Sequence, residues 1–589
     1  MRVVFFTVLL ALAVGVGLSA QSGPQSPRVV PMESGDSAIA DRYIQWVEQT
    51  IKAGQWTQAR SALERAADYA DVSSDVSYLL ALARFNTNEN RGSVLQAVGK
   101  AIKVGRWTHY SEAQARLLEA QQLIAMRRYS AAIESLAIFQ PVAVETADAA
   151  MLRLAALKGL VNGGAVSYSA EFRRRMSEAM NRYSRDTRAL RLLFDYANYA
   201  YANGRELNRD DIRIMELALE RLPFLLPADP ELAWIAAPFI NDIEKARSLL
   251  ADYRAGSSKP NPASLVPALN LGLLDDIDAV DELFAAGNPA GNPVADSAQP
   301  AAQFVVDKDI LVNVWKLLRS EGGRNHLSRK LQVFSGAITE DEDHDGYVES
   351  RSVYKQGIIE EYHYDADQDR LEDVTIIFNA GNPQWARIPA LPAVVFWESY
   401  PAVQRTVLET GLYLPAPGGF RFAPVGFIEI CPSDATPGLL YPRREPLQQG
   451  ITRRMLILYA VSVQHPSVEF PGGLEHIYLE NGVPINSEVI LGNKTVSFTE
   501  FENGRPVLQW LDLDLDGRME TLRRFRKDVF TGKSALNWDD LQRRLSQGGQ
   551  DFRQLLESSE SDWNGDGNFE SVEVYREDGS VVNKWRLTN

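Results

Sequence analysis

From about residue 38 to residue 253, apolar residues recur at three- and four-residue intervals with few β-branched runs, the spacing of amphipathic helices. Segments 147–161, 170–183, 187–202, 210–222 and 240–253 each predict a helix, and 274–284 predicts one more, acidic and amphipathic. The texture changes after Lys330. Short alternating segments such as 374–378 and 572–575 predict half-buried strands. Asn481-Gly482, Asn503-Gly504 and Asp578-Gly579 each fall between such segments, where a tight hairpin turn needs residues that tolerate positive φ. A Gly-, Pro- and Ala-rich stretch, 287–293, separates the two textures and reads as a linker, and 307–318 predicts a last helix leading into the strands. The expected fold class is multidomain α + β, an N-terminal α-solenoid followed by a mainly antiparallel β domain built of hairpins. Its expected parts are helical repeats over 38–255, a helix plus linker over 256–303, and a β-rich domain over 304–589.

The helical half repeats itself. Gly54-Gln55-Trp56 is followed by Ala59, Leu63 and Ala66; Val94, Val98 and Ala101 form a related set; Tyr129, Ala132, Leu136 and Phe139 a third. The equivalent positions Ala59, Val94 and Ala132 lie about 35 and 38 residues apart, close to the period of a two-helix unit. Small residues at these positions let helices approach closely, and the aromatic before them fills the hairpin. The segment resembles the tetratricopeptide repeat (TPR) family, whose second helix carries a Gly, an aromatic two residues on, then Ala, a large apolar residue and Ala. The first unit matches that pattern throughout. The second lacks the aromatic and has Val94 for the first Ala, and the third has Phe139 for the last. The resemblance implies a concave groove for a peptide or protein.

Four Asp-rich loops lie among the predicted strands. Asp341, Asp343, Asp345 and Glu349 share one spacing with Asp512, Asp514, Asp516 and Glu520, and with Asp562, Asn564, Asp566 and Glu570. A degenerate copy has Asp365, Asp367, Asp369 and Asp373, with Arg370 where the others have Gly346, Gly517 and Gly567. Oxygens at positions 1, 3 and 5 converge when such a loop curls, Gly at position 6 takes the sharp turn, and a carboxylate at position 9 closes the shell. Hard oxygen ligands in that number suit calcium. The loops resemble the calcium loops of FG-GAP repeats, and the loop starts of dockerins and EF-hands. Position 12 of an EF-hand would hold Glu, whereas Ser352, Arg523 and Glu573 stand there and strands follow. Asp/Asn-Gly turns also close hairpins without metal, through side-chain hydrogen bonds to the backbone.

Other features bear on partners and compartment. Arg2, the apolar run 3–18 and Leu18-Ser19-Ala20 predict a signal peptide over residues 1–20, hence export to the periplasm or outer envelope, with no transmembrane span after its removal. A net charge of −16 argues against nucleic acid as partner and suits a cation. Cys431 is the only cysteine, so no internal disulfide is expected, and the strand-like sequence before it predicts a buried structural thiol. The six histidines form no metal-binding pair, and no nucleophile elbow or phosphate loop appears, so no enzyme is expected. The arginines 173–175 read as a solvated helix face. The expected function is an exported scaffold that binds a protein or peptide partner of the cell envelope through its repeats, its β domain stiffened by calcium. The alternatives are binding of an envelope polysaccharide by the β domain, with Trp385, Trp397 and Trp510 as stacking platforms, and a calcium-dependent glycan hydrolase.

Overall fold

The computed structural model describes residues 35–66, 71, 73–140, 145–202, 204–285, 304–341, 346–388, 393–399, 402–408, 411–415, 420–429, 454–480, 482–527 and 536–586. The expected signal peptide, the linker 287–293 and Cys431 lie outside the described residues. Two compact units result. The first takes in residues 1–330, 336–351 and 365–371, and the second 331–335, 352–364 and 372–589.

The first unit is an array of helical hairpins. Gly35–Lys52 packs on Trp56–Arg65, Ser74–Asn86 on Arg91–Val104, and Glu112–Ala125 on Tyr129–Ser135. The repeat positions are what the hairpins bury: Ala59, Leu63, Ala66, Val94, Val98, Ala101, Ala132 and Leu136 are all fully inaccessible. Longer helices, Ala147–Asn162, Ser169–Arg182, Arg188–Ala202 and Arg209–Leu225, continue the array over a core that includes Met151, Phe172, Phe194 and Leu222. Starts are set by capping. Ser111 and Gln114 form a reciprocal capping box, as do Asn208 and Asp211, each satisfying backbone donors that the first turn leaves open.

Five turns in this array share one geometry, which a later turn at Gly272 repeats. At Gly54, Asn88, Arg127, Gly164 and Gly204 the backbone enters the left-handed region, with φ of 74°, 61°, 56°, 92° and 66°. In each, that residue's N–H donates to the carbonyl three positions back and the next N–H to the carbonyl five back, closing the helix end. Glycine is the low-energy choice there, because a Cβ crowds the following carbonyl. Arg127 is the bulky exception.

Helices continue beyond the Gly/Pro-rich stretch as Lys308–Leu317 and Glu321–Gln332, with the short strand Val305–Asp307 paired in parallel to Gly336–Glu340. Gly322 and Gly323 disguise the second of these helices in the sequence. A Cβ on Gly323 would stand 2.5 Å from Cβ of Asp276, whose Oδ2 accepts from the backbone N–H of Arg319 and Ser320. Close helix approach selects the glycine, not a turn.

In the second unit the strands follow one another as antiparallel neighbours. Those from Ile358–Tyr364 to Leu412–Pro415 form one run, with Leu536–Asn537 added in parallel to its last member. A ten-stranded sheet runs from Phe420–Glu429 to Val581–Arg586. Gln356-Gly357, Ala380-Gly381 and Asn503-Gly504 turn with positive φ at both residues, the geometry that matches strand twist in two-residue hairpins. At Asp578-Gly579 only the glycine is left-handed, because the N–H of Arg576 donates to the carbonyl of Ser580 across a three-residue loop. Within the predicted β domain two helices intervene, Trp538–Gln547 and Gly549–Gln554. Trp538, Leu541 and Leu545 of the first fill a core with Leu408, Leu412, Ile477 and Phe525.

Candidate metal-binding loops

All four Asp-rich loops fold around the same bond. The first carboxylate accepts the N–H of the sixth residue: Asp341 from Gly346 at 2.8 Å, Asp365 from Arg370 at 2.8 Å, Asp512 from Gly517 at 2.8 Å and Asp562 from Gly567 at 2.7 Å. That bond requires the sixth residue to turn left-handed, and φ there is 97°, 73°, 101° and 88°. Arg370 therefore adopts the glycine conformation despite its side chain. The fourth residue is left-handed too at Gln368, Leu515 and Gly565. Asp343 and Asp345 lie outside the described residues.

Loop 512–520 connects the strands Arg505–Leu511 and Thr521–Phe525, and loop 562–570 connects Leu556–Ser561 and Ser571–Tyr575. The two loops are neighbours, because Thr521–Phe525 pairs with Leu556–Ser561. The N–H of Asp562 donates to the carbonyl of Glu520 at 2.7 Å, and Arg518 Nη1 donates to the carbonyl of Gly565 at 3.1 Å. The same link, from the ninth residue of one loop to the first of the next, joins Glu349 to Asp365 at 2.9 Å. The loops come as two pairs.

Carboxylates converge within them. Ligand oxygens of Asp512, Asp514 and Glu520 lie within 4.8 Å of one another, as do those of Asp562, Asp566 and Glu570, and those of Asp365, Asp367 and Asp373. Asp516 lies outside the first of these clusters; its Oδ1 accepts the N–H of Arg518 at 2.8 Å, as Asp566 Oδ1 accepts that of Asn568 at 2.9 Å. Asn564 Oδ1 likewise accepts the N–H of Asp566 at 2.8 Å. At the ninth position Glu520 Oε1 accepts from the N–H of Leu513 and Glu570 Oε2 from that of Trp563. The remaining oxygens are more telling. Asp512 Oδ1, Glu520 Oε2 and Glu570 Oε1 are buried without a hydrogen-bond partner, and Asp512 as a whole is fully inaccessible. A buried carboxylate oxygen with nothing to accept costs several times what a satisfied one does, unless a cation is its partner. Asp566 is held ionised, its carboxyl kept below the usual range chiefly by the N–H of Asn568.

The first pair is balanced differently. Glu349, with its side chain fully inaccessible, receives Arg127 and the amide of Gln368. Asp365 is pushed up to about 6 by burial, with the N–H of Arg370 pulling it down and the neighbouring charge of Asp369 adding to the rise.

Elsewhere, Trp385 and Trp510 are half-buried against Phe396 and Phe498, with ring centroids 6.5 and 5.9 Å apart. Trp397 is also half-buried. The arginines 173–175 are ion-paired, Arg173 with Asp211 at 3.6 Å, Arg174 with Glu178 at 2.6 Å and Arg175 with Glu145 at 3.4 Å. Among the described residues no helix is long and apolar enough to cross a membrane. Sequence reasoning missed the pairing of the loops and the role of Arg127. The signal for the latter was present, since Arg127 precedes Tyr129 as Gly54 precedes Trp56.

The chain is similar to an uncharacterized protein of Treponema pallidum (strain Nichols), 23% identical over a 612-residue alignment that covers 85% of this chain and 74% of that one. Among solved structures it is similar to YrrB, a TPR protein with an unusual peptide-binding site, at 12% identity and a TM-score of 0.26, covering 32% of this chain and 93% of that one. It is also similar to the pentatricopeptide repeat protein PPR10 in complex with an 18-nt psaJ RNA element, at 13% identity and a TM-score of 0.18. That match covers 52% of this chain and 54% of the other, so the chain spans about half of PPR10. No family model matches the chain.

Proposed function

We propose that this protein is an exported, non-enzymatic scaffold whose helical repeats bind a protein or peptide partner and whose β unit is stiffened by calcium at loops 512–520 and 562–570. The observation that carries the calcium reading is the set of buried oxygens without donors, Asp512 Oδ1, Glu520 Oε2 and Glu570 Oε1, in loops that cluster three carboxylates each. Asp512, Asp514 and Glu520 would hold one ion and Asp562, Asp566 and Glu570 the other. Bound calcium would supply charge balance and a rigid hairpin tip, not chemistry. An exported protein meets calcium at concentrations that fill sites of dissociation constant about 10⁻⁴–10⁻³ M.

Support for the partner reading is the character of the array's surface. Val166, Phe224 and Ile243 are 77%, 83% and 61% exposed, large apolar groups of the kind that a protein partner covers. Export rests on the apolar run 3–18 and the small residues that follow it.

Titration calorimetry of the full chain with calcium tests the metal part: two sites are expected, both lost in Asp512→Asn/Asp562→Asn, and an absence of heat refutes it. Cross-linking in the native envelope tests the partner part. A protein cross-linked to the wild-type chain and lost in Phe224→Ser is expected; equal capture by both chains rejects that surface.

A further inference from the structure

Arg127 and Arg370 break the same rule in two different repeats. Arg127 occupies the left-handed residue of a helical turn whose counterparts are Gly54, Asn88, Gly164 and Gly204. Arg370 occupies the left-handed sixth position of an acidic loop whose counterparts are Gly346, Gly517 and Gly567. Any side chain with a Cβ is disfavoured in that conformation, and strain of this kind persists where the surroundings over-determine it. Both arginines lie at one place, where helical turns meet the first pair of acidic loops, and each reaches across. Arg127 binds the buried carboxylate of Glu349. Arg370 Nη1 donates to the carbonyl of Glu89, one residue after Asn88, at 2.9 Å. Between them, the N–H of Arg91 donates to the carbonyl of Asp369 at 2.7 Å, and the Arg91 guanidinium sits 4.5 Å over the ring of Tyr347.

The two pairs of loops differ at their closing carboxylate. Glu520 and Glu570 each keep one buried oxygen without a donor. Glu349, at the same position of its own loop, is charge-balanced by Arg127 and bonded by Gln368.

We propose that the turns of the helical array carrying Asn88–Arg91 and Arg127 are a docking surface whose partner is the paired acidic-loop segments 346–349 and 365–371 of this same chain, with Arg127 standing as a tethered cation on Glu349. The surface meets the Glu349 carboxylate through Arg127, the Tyr347 ring through the Arg91 guanidinium and the Asp369 carbonyl through the Arg91 N–H, and these turns are closed to any outside partner. The inference does not depend on calcium at the second pair of loops.

Glycine substitution tests it by sign. Arg127→Gly and Arg370→Gly each install the residue that the other turns prefer, so both chains are expected to fold. If the arginines serve only as turn residues, each variant melts at or above the wild-type temperature, and the proposal is overturned. If they clasp, the loss of the cation on the buried Glu349 carboxylate outweighs the relieved strain, and Arg127→Gly lowers the melting temperature by about 5 °C. Amide exchange at Glu349–Ser350 and Gln368–Arg370 is expected to speed at least tenfold in both variants, with Arg127→Lys recovering part of the protection. Gly204→Ala, a control in the same class of turn but away from the loops, is expected to leave these amides unchanged. Exchange rates that are equal in wild type and Arg127→Gly also overturn the proposal, whatever calcium does elsewhere.

Discussion

Replacing Asp512 by Asn separates a metal site from an ordinary polar turn, because the two readings predict opposite signs in one buffer. The carboxylate accepts the Gly517 N–H through Oδ2, while Oδ1 is buried and has no donor. An Asn side chain keeps one carbonyl oxygen, which is enough for the Gly517 bond, so the loop shape survives. What is lost is one negative charge within 4.8 Å of Asp514 and Glu520. Two unit charges at that distance repel by roughly 0.9–3.5 kcal/mol as the effective dielectric falls from 80 to 20. The exposure of Asp514 places the real value near the low end, about 1 kcal/mol. In EGTA, Asp512→Asn is therefore expected to stabilise the chain by about that amount. With calcium at ten times the dissociation constant, the wild-type site gains about 1.4 kcal/mol, and the variant forfeits that gain. Thermal unfolding of the full chain in both buffers reads the crossing directly. The variant melts a few degrees above wild type in EGTA and about one degree below it in calcium, a swing of about 4 °C. If the variant is destabilised equally in both buffers, Asp512 serves the turn alone and the cation is not there.

Three further outcomes follow from other parts of the molecule. Glu145 receives Arg153 at 2.8 Å and Arg175 at 3.4 Å in the helical core, with Arg153 2% exposed, so Glu145→Gln strands two buried guanidinium groups. A loss of about 3–5 kcal/mol in denaturant unfolding is expected. Burial opposes the charge on His465, but the hydrogen bond and charge of Glu475, 3.0 Å away, outweigh it and raise its pKa. A raised folded-state pKa contributes stability that is complete below the unfolded value of about 6.5 and disappears as pH rises through the folded value. Stability should therefore fall above pH 6.5 in wild type, and that part of the slope should vanish in His465→Gln when unfolding is followed against pH. Finally, Gly323→Ala gains about 1 kcal/mol of helix propensity but places a Cβ 2.5 Å from Asp276 Cβ. Overpacking costs about 1–3 kcal/mol, so a net fall in melting temperature is expected where a free helix would rise.

The sequence is most legible where one residue type answers one local demand. Ala59, Val94 and Ala132 marked helix contacts because small residues are fully buried there, and Asn503-Gly504 marked a hairpin because both residues turn left-handed. The loops were legible for the same reason, down to the sixth residue. What stayed hidden depends on residues far apart in the chain. Gly323 looks like a breaker until Asp276 is seen against it. The helix Trp538–Gln547 lies among strands because it fills a core with Leu408 and Ile477, which no local period reports. Arg370 shows the limit most clearly. Judged locally, an arginine in the glycine position argues against the loop; in the structure the loop keeps its shape, and the arginine reaches Glu89, 281 positions earlier. Arg127, in the glycine slot of a helical repeat, mirrors it at Glu349. Two misfits that each weaken a motif become intelligible as a pair, because each left-handed arginine is held by the other element's loop. A departure from a repeat pattern is thus itself a clue to long-range contact, provided it is searched for in both repeats at once.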